Sequence, residues 1–413
     1  MEFSQSEILI AAALVFGIAT AWQVIAPKLH VPALVLLLPA GFLLGLIGPQ
    51  YRWDEILGSA FPVVVDLIVA LILFQGGMAL GSIQLERSDR NVVRRLIWIG
   101  GATSCLAATL GAHFLLGLDW SLAFLLGAIL IVSGPTVVTP ILNFAQPEPR
   151  SRGILLWEGT LLDPIGAIFA VSVFQVIRAT TAGSPMAAVG EIVWSFAVAI
   201  FFAVLGVVIA VLGTKLVRGD GNLGTQVLIG SVICVVALAN VCAPESGLLT
   251  ALLMGAATPW LAKRLNTTLT HVDPFFSTIA SIGVGVLFVS IAALVPSPDL
   301  VNVILPAVGI ALGLIVIVRP LIAFFCTLGA GLSNRQRALI GWMDPRGIVA
   351  AATASSVGAS LVAAKVPGAA DLLPAAFVII AVTVFVYGLT ATPVVRLLGL
   401  KQKTVQAPAP NSA

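Results

Sequence analysis

Residues 128–142 read AILIVSGPTVVTPIL and residues 341–356 read GWMDPRGIVAAATASS. Each is an apolar run with a helix-breaking insert at its centre. The first carries Ser133, Gly134, Pro135, Thr136, Thr139 and Pro140, the second Asp344, Pro345, Arg346 and Gly347. Proline removes a backbone donor and glycine weakens a helical turn, so a helix is expected to break at both places. In hydrocarbon, unwound backbone is tolerated only where protein or a water-filled cavity surrounds it. If the chain spans a membrane, these two breaks mark its interior site.

The composition agrees with a membrane chain. Of 413 residues 59% are hydrophobic and 9% charged, against about 25% charged in a soluble protein. So few charges cannot cover a water-soluble fold. Apolar stretches of about 20 residues recur from end to end, the signature of a polytopic α-helical membrane protein. An outer-membrane barrel would instead alternate apolar and polar residues at period two. The runs fall near 7–26, 32–48, 60–81, 94–116, 119–142, 153–177, 187–214, 223–241, 246–262, 274–296, 301–330, 336–364 and 372–398, which predicts about 13 transmembrane helices. The breaks then lie in helices 5 and 12.

Alternating the loops places sixteen basic residues on one face, among them Arg87, Arg90, Arg94, Arg95, Arg150 and Arg152, and only Arg52, Arg178 and Lys365 on the other. By the positive-inside rule the N-terminus is expected outside and the C-terminus in the cytoplasm. The start, MEFSQSEILI, lacks a signal peptide's basic region and cleavage site, so the first segment is expected to be retained. An odd count suits two inverted-topology repeats, helices 1–6 and 8–13, with helix 7 as connector. Residues 1–400 then form one transmembrane domain, and KQKTVQAPAPNSA (401–413) a short polar cytoplasmic tail, with no soluble regulatory domain in this chain. Cys105, Cys234, Cys242 and Cys326 show no C-x-x-C spacing and are expected to be buried thiols.

A charge at membrane depth costs several kcal/mol unless paired or hydrated, so each is a functional candidate. Five stand out: Glu158, Asp163, Arg319, Asp344 and Arg346. Helix 6 contains RGILLWEGTLLDPIGAIFAV (152–171), which puts Asp163 about 15 Å from the cytoplasmic start of the helix, near the midplane. Its helical neighbours Gly159, Thr160, Gly166 and Ala167 are small, and Pro164 frees carbonyl oxygens in the turn before it. A carboxylate there holds a proton or a desolvated alkali cation, one excluding the other, which is the chemistry of an antiporter. Glu158 lies about 140° around the helix from Asp163 and needs another partner. Arg319, in VIVRPLIAFF (316–325), is the natural one, with Arg346 as the other possibility. Asp66, Glu191, Glu245 and Asp273 lie near span ends and read as interfacial. His30, His113 and His271 read as structural, and Gly76 and Gly77 as helix-packing glycines.

Along most of its length the chain resembles the monovalent cation/proton antiporters of the NhaP and sodium/proton exchanger type. The resemblance is carried by ALILFQGGMAL (70–80), the broken SGP segment, WEGTLLDPIG (157–166), VRPL (318–321) and PRGIVAAA (345–352). It implies a homodimer with a mobile six-helix core that exchanges sodium or potassium for protons by an elevator-like movement. It also assigns Glu158 and Arg319 as partners and Asp163 as the ion-binding aspartate. The chain departs from the family pattern at Leu162, where an asparagine is usual, and at Ser133-Gly134-Pro135, where Thr-Asp-Pro is usual. Asp344 either replaces that missing helix 5 carboxylate or neutralises Arg346.

The sequence is therefore read as a bacterial inner-membrane cation/proton antiporter, not an enzyme, with no cofactor beyond the transported ions and with lipid, not nucleic acid, around it. Asp163 is the expected cation and proton site, and Ser133, Thr136, Thr160 and Asp344 are candidate ligands. Glu158, Arg319 and Arg346 form a structural charge set. One titratable carboxylate suggests electroneutral exchange. The alternatives are a solute symporter or channel on the same scaffold, or a transport-inactive sensor.

Overall fold

Apolar runs without polar punctuation become helices here, since in lipid each backbone group must be bonded within its own segment. The computed structural model describes residues 4–47, 56–58, 60–82, 85–182, 185–217, 221–244, 246–267, 272–295 and 300–402. The chain runs through α1 (Gln5–Ile25), α2 (Leu34–Ile47), α3 (Ala60–Ser82), α4 (Arg87–Leu116), α5 (Trp120–Ile129), α6 (Pro135–Ala145), α7 (Pro149–Ala182) and α8 (Pro185–Leu216). It continues through α9 (Gly221–Cys242), α10 (Ser246–Arg264), α11 (Val272–Ala293), α12 (Leu300–Cys326), α13 (Asn334–Trp342), α14 (Ile348–Ala363) and α15 (Leu372–Leu397). Among the described residues there is no β-sheet, and seven helices are long and apolar enough to cross a membrane, with shorter apolar helices between them. Glu245, His271 and the tail from residue 403 onwards lie outside the described residues.

The helices pack in two groups. α1–α3 and α8–α11 contact mainly one another, as do α4–α7 and α12–α15. In the first group the backbones approach closely at glycines. A methyl on Gly41 or Gly45 of α2 would strike the backbone of α11 at Val289 or Ala293, and one on Gly77 or Gly255 would strike the facing backbone of α10 or α3. This is the small-xxx-small packing expected where dispersion and backbone approach hold helices together without a hydrophobic driving force. Gly77 therefore packs helices, whereas Gly76 faces the Thr160 and Pro135 side chains of the second group.

α4 starts at Arg87, before the apolar run expected from 94, because the basic stretch RSDRNVVRR continues the same helix. There Arg150 holds the buried Asp89 at 2.8 Å and donates to the Ala330 carbonyl at 3.0 Å. Single π-helical turns interrupt α4 at Leu96–Gly100 and α12 at Leu314–Val318, and no residue pattern announces them. Helix α7 passes through Pro164 without interruption. Two expectations are corrected. Cys105 and Cys326 are buried, but Cys234 and Cys242 are exposed on the surface of α9, where a thiol contacts lipid as readily as a small apolar side chain. Asp66, expected at the interface, stands six residues into α3 and lines a cavity described below.

Candidate functional site

The two breaks form where the sequence puts them. Leu130–Gly134 separates α5 from α6, and Met343–Gly347 separates α13 from α14. The interruptions meet: a methyl on Gly347 would lie 2.9 Å from the Gly134 nitrogen, and the Ser133 hydroxyl donates to the Pro345 carbonyl at 2.9 Å. Only glycine lets the two unwound segments pass this closely, and Ser133 ties them together.

Helix α7 lies across this crossing and presents Asp163 to it. Gly159 and Gly166, one turn to either side, bring α7 against Val138 and Val132, so the carboxylate sits directly on Gly134, with Gly347 beside it. Asp163 is fully buried and neither of its oxygens has a hydrogen-bond partner in the protein. Among the described residues it is the one carboxylate with both oxygens in that condition. Gly134 and Gly347 are also the N-terminal caps of α6 and α14, and no side chain caps either helix. The positive ends of two half-helix dipoles thus converge on the carboxylate. Thr136, in the first turn of α6, is buried with its hydroxyl unpartnered in the protein, while Thr160 is buried with its methyl toward Gly76 of α3.

The other charges at the crossing pair with one another. Arg319 grips Glu158 through two bonds, Nη1 to Oε1 at 2.6 Å and Nη2 to Oε2 at 2.8 Å. Asp344 lies 3.1 Å from Arg346 Nη2 and 4.0 Å from Arg319 Nη1. Of the readings left open by the sequence, the observed contacts give Arg319 to Glu158 and Arg346 to Asp344. The guanidinium groups also cover the negative ends of the other two half-helices. Arg319 Nε donates to Ile340 O in the last turn of α13 at 2.9 Å, and Arg346 Nη1 reaches Ile131 O just beyond α5 at 3.4 Å. Cations at the C-terminal ends and a carboxylate at the N-terminal ends is the arrangement that half-helix dipoles favour.

Sequence reasoning missed one contact of the crossing and the surroundings of one carboxylate. Thr383 of α15 accepts from the Arg346 backbone N–H at 3.2 Å, but a lone hydroxyl in an apolar run gives no signal. Asp66 lines a cavity of about 250 Å3 between α3, α10 and α11 on one side and α14 on the other. Gly58, Ser356 and Ala359 are exposed at one end of this cavity, and its lining reaches Val349 in the first turn of α14, two residues from Gly347.

Both the sequence and the fold have counterparts among known proteins. The model of the sodium/hydrogen exchanger transmembrane family matches residues 10–397. The chain belongs to that family. A K(+)/H(+) antiporter NhaP2 from Shewanella baltica is 25% identical over 403 residues, 93% of this chain and 66% of its own. The chain thus spans about two thirds of the length of that relative. The Na(+)/H(+) antiporter 1 of Methanocaldococcus jannaschii is 25% identical over 362 residues, 83% of this chain and 82% of its own. The structure of the sodium proton antiporter MjNhaP1 from the same archaeon superimposes with a TM-score of 0.77 at 21% identity, covering 95% of this chain and all of that one. This last likeness establishes the fold.

Proposed function

We propose that this member of the sodium/hydrogen exchanger family is a secondary active antiporter that exchanges a monovalent alkali cation, sodium or potassium, for protons. The observation that carries the reading is Asp163. It is a fully buried carboxylate with no bonding partner in the protein, held against two unwound crossings. Such a group is stable only when a proton or a cation neutralises it, and the two compete for the same oxygens. The relatives named as K(+)/H(+) and Na(+)/H(+) antiporters point the same way.

The finer reading joins α5 to α6 and α13 to α14 as two broken crossings, giving thirteen in all. α1–α7 and α9–α15 are then inverted halves about α8. The N-terminus is outside and the C-terminus in the cytoplasm of a bacterial inner membrane, and the protein works as a homodimer. The two packed helix groups support a movement in which α4–α7 and α12–α15 carry Asp163 past the other group. Ser133, Thr136 and Thr160 supply neutral oxygens near it, while Asp344 serves as the counter-charge of Arg346. At the crossing Glu158 and Asp344 balance Arg319 and Arg346, which leaves Asp163 as the one uncompensated carboxylate there and favours one proton per cation, without net charge movement.

The test is purified protein in vesicles containing a pH-sensitive dye. Sodium, potassium or lithium alone should move protons against it, and an imposed membrane potential alone should drive no current. A potential-driven current would refute electroneutrality. Absence of any pH response to all three cations would refute antiport and leave a symporter, channel or sensor on the same scaffold.

A further inference from the structure

Asp66 is an unexpected charge. It lies six residues into α3, about 9 Å along the helix, and no basic side chain stands within ion-pair distance among the described residues. Among the described residues its one hydrogen bond is long: Asn240 Nδ2 donates to Oδ2 at 3.5 Å. Asn240 Oδ1 accepts from the Gly247 N–H at 2.8 Å, so the amide is held with its donor toward the carboxylate. That single weak contact does not neutralise a charge at this depth.

The cavity explains how the charge is sustained. It is large enough for several waters at roughly 30 Å3 each, and Thr353, Ser355 and Ser356 of α14 add hydroxyls opposite Asp66. An uncompensated carboxylate in a cleft with apolar walls focuses its field and raises the local cation concentration by about 10- to 1,000-fold. The two ends of the cavity give this a direction. The open end is at Gly58 and Ala359, and the inner end, Val349, adjoins the Gly134–Gly347 crossing where Asp163 sits. Asp66 belongs to the helix group that does not carry Asp163.

We infer that Asp66 is a recruiting site for a partly hydrated monovalent cation on the face to which this cavity opens, loading Asp163 from a helix group that does not move with it. The inference rests on the antiport reading above, in whose orientation this face is external. A cation held by one carboxylate and a few hydroxyls keeps most of its water, so it passes inward when Asp163 offers a drier site.

The experiment measures the apparent KM for sodium and potassium at each face, using vesicles of both orientations and a pH dye inside. In Asp66→Asn the KM at the cavity face should rise at least tenfold at low ionic strength, while the KM at the opposite face moves less than twofold. In the wild type the cavity-face KM should rise as choline chloride is added, and Asp66→Asn should lose that dependence. Asp66→Glu should restore most of the affinity. An unchanged cavity-face KM in Asp66→Asn overturns the inference and leaves antiport at Asp163 intact. Equal loss at both faces that Asp66→Glu does not rescue also overturns it, assigning Asp66 to the packing of α3 on α9. Wild-type protein that moves no protons with any alkali cation overturns both readings.

Discussion

Replacing Gly134 with alanine tests the closeness of the site more sharply than deleting a charge. The added methyl would lie 2.7 Å from Asp163 Cγ, where ordinary contact begins near 3.4 Å, an overlap of about 0.7 Å. Gly134 has φ −112° and ψ 157°, an extended conformation that alanine adopts freely, so the backbone contributes no strain. The carboxylate has no room to retreat, because Gly347 is beside it and Gly159 and Gly166 press α7 onto Val138 and Val132. Forced overpacking of this kind costs about 1–3 kcal/mol, which corresponds to a loss of about 5- to 150-fold in affinity if the displaced group is the cation site. The assay is the apparent KM for sodium and potassium in everted vesicles. Gly101→Ala is the control, since its methyl would meet Ile131 at an ordinary 3.5 Å. A Gly134→Ala protein that folds and keeps the wild-type KM would refute the placement of the site on this crossing.

Three further outcomes follow from the charge arrangement. Arg319→Ala strands the buried Glu158 and should lower stability by about 3–5 kcal/mol, whereas the double variant Glu158→Gln, Arg319→Met should recover much of it. Thermal unfolding in detergent reads both, and equal loss in the two would deny that the pair acts as a unit. Asp344→Asn should lower thermal stability by freeing Arg346 yet retain cation-driven proton movement. Loss of transport at unchanged stability would instead make Asp344 a member of the ion site. Protons and cations competing at Asp163 should raise the apparent cation KM about tenfold per unit of falling pH once the carboxylate is mostly protonated. A KM flat across that range would contradict a shared site.

Much of this was legible in the chain. Hydrophobic runs fixed the helices because lipid requires self-satisfied backbone, and the proline and glycine inserts at Ser133–Thr136 and Asp344–Gly347 located both breaks. A buried glutamate needs a cation, which makes Arg319 its natural partner and Arg346 the alternative, and the depth of Asp163 among small neighbours marks it as the ion-binding candidate. What was hidden has one physical cause: position along a helix gives depth, but says nothing of which helices face one another. Asp66 near the start of α3 reads as interfacial until α14 is seen opposite it. The partner of Asp344 stayed open until Arg346 lay at 3.1 Å. The π-helical turns in α4 and α12 leave no pattern in LIWIG or LIVIV.

The most direct measurement is cation-driven proton movement by Asp163→Asn in reconstituted vesicles, with folding verified by thermal unfolding. An asparagine of the same shape holds neither the proton nor the charge. The variant should therefore be folded, at least as stable as the wild type because a buried charge is gone, and silent to sodium, potassium and lithium. Exchange at the wild-type rate by the folded variant would place the exchanging group elsewhere and contradict the assignment of Asp163.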